Sequence, residues 1–269
     1  MSTYQPPLDQ LLRLGEVELG TEGPDYRAMG IGPEHVPELT RMATDADLFA
    51  QLDREDVDEA QAWACEHALK AIAQLRAVEA VGPLLADYAR MIDVHDFWVE
   101  ELAEVMETLG PGALPDLERS FEDPANEHRL RSGLCESFTK IALAHPESRE
   151  RVVAFLTRML AEHPETDETL NGFIVATLLD LEATEAAPAI EAAFEANRVD
   201  ISIAGDWPIV RYELGLGPMP ENLRFASGVS RPSFEVGPGG ANRPDLKKLK
   251  AKKKQQKQAR ARSNKRKKR

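Results

Sequence analysis

Cysteine is nearly absent from this chain: there are two in 269 residues, Cys65 and Cys135, and neither belongs to a Cys-x-x-Cys pair. That excludes a disulfide framework and points to a reducing compartment. Long apolar runs are missing too. The longest, Phe173 to Leu179, is far too short to cross a bilayer, which excludes a membrane-spanning helix. Aromatics make up only 6%, and the alternating apolar–polar pattern of half-buried strands occurs nowhere. The stretch Met1 to Leu12 carries Pro6 and Pro7 and lacks a basic run leading into an apolar one, so no export signal is read there. A cytoplasmic chain without a membrane partner is expected.

What is present favours helices. Hydrophobic residues make up 42% and charged residues 29%. Ala, Leu and Glu dominate, and these lose little side-chain freedom in a helix. The net charge of −13 hides a sharp segregation. From Arg243 to Arg269 there are 15 Lys or Arg against the single acid Asp245, a net +14, which leaves −27 on the other 242 residues. The two parts need separate partners in any electrostatic argument.

One unit recurs along the acidic part: a helix, a short turn, then a proline opening a second amphipathic helix. It reads His35-Val36-Pro37-Glu38-Leu39, Val81-Gly82-Pro83-Leu84-Leu85, Ala113-Leu114-Pro115-Asp116-Leu117 and Ala186-Ala187-Pro188-Ala189-Ile190. Proline suits the first helical turn, where its missing N–H costs no hydrogen bond. Pro115 and Pro188 lie 73 residues apart, two periods of roughly 36. Pro146-Glu147 opens the intervening unit, with Val152, Val153, Leu156 and Leu160 on one helical face. The partner helices are periodic as well. Ala60, Ala64, Ala68, Ile72 and Leu75 line Asp58–Ala77; Trp98, Leu102, Val105 and Leu109 line His95–Leu109. Leu130, Leu134, Phe138 and Ile141 follow, then Phe173, Thr177, Leu178 and Leu181.

Paired helices at this period predict an all-α fold, an α-solenoid of about five HEAT-like helix pairs of the armadillo-like kind. Residues 1–30 form an N-terminal cap with a short helix around Leu8 to Leu14, and 31–198 the repeats. Residues 199–217 form a C-terminal cap in which Asp206 is the N-cap, Pro208 sits in the first turn, and Ile209, Leu214 and Leu216 close the last apolar face. Residues 218–242 are a linker, and 243–269 a disordered basic tail that cannot bury a core.

The proline-headed pairs resemble bacterial HEAT-like repeat proteins grouped with phycobilisome lyases. More narrowly they resemble an uncharacterised subfamily with a Lys/Arg-rich C-terminus. The segments carrying the likeness are Gly32 to Leu39, Thr169 to Phe173, Glu185 to Pro188 and, most distinctively, Arg198-Val199-Asp200-Ile201-Ser202-Ile203-Ala204-Gly205-Asp206-Trp207. The resemblance covers roughly residues 6 to 216 and implies the repeat fold. Some relatives end in a Cys-rich SEC-C zinc motif; the tail here has no cysteine, so no metal site is carried over. The family name implies a bilin lyase or isomerase as one alternative, for which the sequence shows no aromatic-rich tetrapyrrole pocket.

No constellation reads as catalytic, cofactor-binding or metal-ligating. None of the six histidines has His-x-x-x-His spacing. His67 and His95 each adjoin an acid, and His128, His145 and His163 lie near helix ends, where imidazole suits a C-terminal dipole. Both cysteines read as small buried hydrophobes. The acidic stretches Asp45-Ala46-Asp47, Asp53 to Glu59 and Glu100-Glu101 read as solvated faces and helix starts, or else as a concave acidic surface for a basic partner. Asn171-Gly172 inside a helix predicts a close helix crossing, with a binding groove as the alternative. Trp207, beside Asp206, reads as a capping anchor or an interaction surface.

The tail carries the strongest functional signal. Lys247, Lys248, Lys250, Lys252, Lys253, Lys254, Lys265, Arg266, Lys267, Lys268 and Arg269 form dense positive blocks without aromatic residues between them. Base-specific or single-strand readout is disfavoured without stacking platforms. Electrostatic contact with RNA or ribosomes fits, as does contact with the acidic body of the same chain. The expected function is a non-enzymatic protein–protein interaction scaffold, without a cofactor, that offers an acidic surface to a basic protein. The alternative is an RNA- or ribosome-associated factor binding through the tail.

Overall fold

The recurring proline marks a recurring local structure. In the computed structural model, which describes residues 4–17, 21–49, 59–92, 96–126, 128–162 and 167–220, a 3-10 turn leads directly into each proline-associated helix. Pro33–His35 leads into α1 (Val36–Ala43), Val78–Ala80 into α4 (Val81–Ala86), and Gly110–Ala113 into α7 (Leu114–Glu122). Pro146–Ser148 leads into α9 (Arg149–Glu162), and Thr184–Ala186 into α11 (Ala187–Glu195). Pro37, Pro115 and Pro188 stand in the first turn, where no N–H is needed. Pro83 is the third residue of α4 and Pro146 belongs to the preceding turn.

The remaining elements are α2 (Ala46–Phe49), α3 (Ala64–Leu75), α5 (Tyr88–Ile92), α6 (Asp96–Leu109), α8 (His128–Ala144), α10 (Glu168–Asp180), α12 (Ile201–Ala204) and α13 (Trp207–Glu213). Among the described residues every regular element is helical. Three helix ends are built alike. Arg76, Glu182 and Asn197 take left-handed φ values of 58°, 50° and 53°, and the next residue's N–H reaches back into the helix, Ala77 to the Ile72 carbonyl, Ala183 to that of Leu178 and Arg198 to that of Ala193. This closes the helix ends while turning the chain.

Each helix packs on its neighbours along the chain. One row runs α1, α3, α6, α8, α10, α12, and the other runs α1, α4, α7 and α9, α11, α13. Phe121 of α7 and Phe155 of α9 join the second row edge to face at 5.7 Å, with Phe138 of α8 completing the cluster. The core is continuous from Tyr4 to Leu214. Charged side chains also tie neighbours together by capping helix-end carbonyls. Arg76 donates to the Thr108 carbonyl, Arg149 to those of Leu181 (2.9 Å) and Glu182 (3.1 Å), and Arg198 to that of Leu160 (3.2 Å). Orphan carbonyls at a helix C-terminus carry partial negative charge, so a cation there is stabilising.

Some expected positions moved. Phe173 is exposed while Leu170, Ile174, Leu178 and Leu181 fill the core. The C-terminal cap keeps Asp206 as N-cap, accepting from Ile209 N–H at 3.2 Å. Its buried pair is Val210 and Leu214, whereas Leu216 is exposed. A short helix starting at Trp207 turns its i and i+4 residues inward, which selects Val210 over Ile209.

Candidate interaction surface

The acids read as solvated faces divide into different environments. Glu101 of α6 is buried, and Lys70 of α3 donates to it at 2.8 Å, with side-chain exposures of 2% and 6%. That corrects the reading of Glu100-Glu101 as a solvated face: the countercharge comes from another helix, 31 residues away in sequence. Asp45 accepts from the Tyr4 hydroxyl at 2.7 Å and from Asp47 N–H at 3.0 Å, so it anchors the N-terminal segment and heads α2. Asp53 to Asp58 lie outside the described residues.

Other carboxylates are arranged between helices. In the second row Glu118 and Glu122 of α7 meet Arg151 and Arg158 of α9, and Glu185 meets Arg149 at 2.8 Å. These pairs are solvent-exposed and contribute little each. Glu136 of α8 and Asp180 of α10 differ. Both reach solvent, yet the atoms packed around them desolvate the carboxyls and raise both above the ordinary range. At Glu136 the Lys140 ammonium opposes and Glu104 reinforces that shift; at Asp180 it is Glu213 that reinforces it.

Asn171 and Gly172 sit where α10 crosses the chain before α12. Asn171 is fully buried and its Nδ2 donates to the Arg198 carbonyl at 2.7 Å. A Cβ on Gly172 would stand 2.9 Å from Ile203 Cδ1 and 3.1 Å from the Asp200 carbonyl oxygen, so the crossing requires glycine. Trp207 donates from Nε1 to Glu191 at 3.1 Å and packs beside Phe194, joining α13 to α11. These three residues, with Asp206, hold the C-terminal end together. The tail residues Lys247, Lys248, Lys250, Lys252, Lys253, Lys254, Lys265, Arg266, Lys267, Lys268 and Arg269 lie outside the described residues.

Histidines and cysteines serve packing. His145, after α8, donates from Nε2 to the Glu107 carbonyl at 2.9 Å near the end of α6. His128 opens α8 rather than ending a helix; His95 and His163 lie outside the described residues. Cys65 and Cys135 are buried. Burial pushes the Cys135 thiol up to about 12 and raises that of Cys65, which suppresses the nucleophilic thiolate. Among the described residues no group of His, Cys, Asp and Glu is placed to hold a metal ion, and no helix is long and apolar enough to cross a membrane. A depression of about 360 Å³ along α9 is lined by Val153, Ala154, Thr157 and Ala161 with Glu150, Arg158 and Glu185. Its Arg158 is already engaged by Glu122. Comparison with protein-family models, with curated proteins and with solved structures finds no match to this chain.

Proposed function

We propose that the chain is a non-enzymatic interaction scaffold of the HEAT-like solenoid kind, whose acidic helical surface receives a basic protein segment. The observation carrying this reading is the −27 charge outside the tail, with Glu136 and Asp180 desolvated and each raised further by a like charge, Glu104 and Glu213. Desolvated carboxylates are less well stabilised in their charged form, and a cationic partner offsets that locally. The packing of helices against chain neighbours in two rows supports the solenoid part of the reading, since stacked repeats cover one another's apolar faces. The −27 charge outside the tail adds long-range attraction for a basic partner.

The test uses a 1–240 truncation, which removes the competing tail, and a ten-residue oligolysine followed by fluorescence anisotropy at low salt. The quadruple variant E104Q/E136Q/D180N/E213Q is expected to weaken binding about tenfold. A control of equal charge change at exposed acids elsewhere, E34Q/E79Q/E147Q/E195Q, is expected to weaken it much less. Equal losses in the two variants reduce the surface to bulk charge and overturn the reading.

The +14 segment 243–269 favours a second reading, an RNA- or ribosome-associated factor binding through its tail. With about six phosphates neutralised, the log–log salt slope on a duplex would be near −5. Full-length protein and the 1–240 truncation binding RNA equally, with no salt dependence, would remove it.

A further inference from the structure

His67 of α3 is a buried polar side chain with both ring nitrogens engaged. Nε2 lies 3.1 Å from the Gly15 carbonyl oxygen. A carbonyl only accepts, so Nε2 carries the ring proton. Nδ1 of the neutral ring is then an acceptor, and the Tyr26 hydroxyl donates to it at 2.8 Å. The two rings meet edge to face with centroids 5.9 Å apart. This arrangement holds only while the imidazole is neutral, because an imidazolium donates from both nitrogens.

Tyr26 anchors a turn on α3. Of residues 21–28 it alone is buried. Its N–H donates to Gln74 Oε1 at 3.1 Å, and Gln74 Nε2 donates to the carbonyls of Glu22 (2.9 Å) and Pro24 (2.8 Å). The hydroxyl is packed against Gly23, whose φ is +73° and on which a Cβ would lie 2.5 Å from that oxygen and 3.4 Å from Lys70 Cδ. Among the described residues its one hydrogen-bond partner is His67. Protonating His67 therefore turns the acceptor at Nδ1 into a donor and leaves the hydroxyl hydrogen facing Gly23 and the apolar stem of Lys70. It also adds a positive charge near the Lys70 ammonium. Burial disfavours that charge most, Lys70 adds to it, and the Gly15 carbonyl opposes. Lys70 is paired with Glu101 of α6 at 2.8 Å, and Glu66, the other buried acid of this region, precedes His67 in the chain. Other charges near α3 are engaged among themselves: Arg13 with Asp9, Arg41 of α1 with Glu38, and Asp45 with the Tyr4 hydroxyl.

We infer that His67 and Tyr26 form a proton-operated latch: when His67 takes up a proton, the turn of residues 21–28 leaves α3 while the helices stay folded. The Nε2–H bond to Gly15 is compatible with both protonation states, so the contact that fails is the one with the Tyr26 hydroxyl. Release takes the Thr21 carbonyl from Lys70 Nζ, which it accepts from at 2.8 Å, but leaves Lys70 paired with Glu101, so no buried charge is orphaned. A turn with one buried side chain opens at less cost than the helix beneath it. In the open turn His67 titrates near its ordinary value of 6.5 and in the closed turn below it, so opening becomes easier as pH falls through about 6.5. The latch is separate from the acidic surface proposed above, and its test does not depend on that reading.

The test is amide hydrogen exchange on the full-length protein, wild type and His67→Gln, with rates corrected for the intrinsic pH dependence of exchange. Glutamine offers one donor and one acceptor and gains no proton in this range. Between about pH 7 and about pH 5.5 the opening constant at the Tyr26 amide is expected to rise roughly five- to eightfold in wild type. The buried amides of α8 are expected to keep their protection, and the Tyr26 amide of H67Q is expected to change less than about twofold. A wild-type Tyr26 amide that opens no more readily at the lower pH overturns the inference. An equal rise at the α8 amides means that acid acts through global unfolding and also overturns it, a comparison made within wild type that stands even if H67Q fails to fold. The same rise at Tyr26 in folded H67Q would assign the effect to another group and overturn the inference as well.

Discussion

Replacing Lys70 by methionine probes the deepest electrostatic feature of the fold. The ammonium and the Glu101 carboxylate are 2.8 Å apart, with side-chain exposures of 6% and 2%. Methionine keeps most of the apolar stem volume of lysine, so packing along α3 changes little. The change is instead electrostatic: Glu101 keeps its charge in a buried place and loses its cation. Breaking a buried pair from one side costs about 3–5 kcal/mol, a large share of a domain stability of roughly 5–15 kcal/mol. The double variant K70M/E101L removes both charges and is expected to recover most of the loss, because well-packed apolar residues replace a buried pair at little cost. Urea unfolding followed by both circular dichroism and tryptophan fluorescence measures the three proteins, coincident transitions being required before free energies are compared. A K70M loss below about 1 kcal/mol would mean that water reaches the pair, and would refute its description as buried. A double variant as unstable as K70M would assign the loss to packing instead of charge.

Burial holds His67 below its ordinary value of 6.5, Lys70 acting in the same sense and the Gly15 carbonyl opposing. The unfolded chain therefore takes up the proton first, so stability falls as pH drops from about 6.5 toward the lower folded value; His67→Gln should flatten urea midpoints across that window, and an unchanged slope would remove His67 as the cause. Gly133 on α8 faces the Tyr88 hydroxyl, which leaves no room for a Cβ. Gly133→Ala should cost about 1–3 kcal/mol and Tyr88→Phe in the same chain should restore part of it, a cycle read by thermal unfolding; no recovery would place the strain elsewhere. The two buried thiols should resist an aromatic disulfide reagent in the folded protein and react promptly in urea. Rapid labelling of either before unfolding would contradict its burial.

Much of the all-helical architecture was legible along the chain, and the reason is local. Proline placement, Ala/Leu content and apolar steps of three and four act within one helical turn. They located the starts of α1, α7, α9 and α11. The repeated corner also has a sequence signature, Leu75-Arg76-Ala77-Val78-Glu79-Ala80 matching Leu181-Glu182-Ala183-Thr184-Glu185-Ala186 at four of six positions. Which acids are solvated was not legible. Glu101 meets Lys70, Arg149 meets Glu185, and Arg76 meets the Thr108 carbonyl, each from a different helix. A side chain's exposure depends on what the next helix brings to it. Phe173 was misplaced for the same reason: its neighbours at i+1 and i−3 face the packed row, and only the packing reveals which side that is.

The amino-acid sequence by itself determined helices, their order, and the opposition of a −27 body to a +14 tail. It also left the chain almost without cysteine, and so without cross-links to hold those helices together. Tertiary structure alone decided that both cysteines are buried, that Glu101 is buried against Lys70, and that side chains of α3 reach the carbonyls of Gly15, Thr21, Glu22 and Pro24. The division follows from range. Helix formation is settled by hydrogen bonds four residues apart, whereas burial, pairing and recognition are settled between groups that the sequence keeps 30 to 50 residues apart.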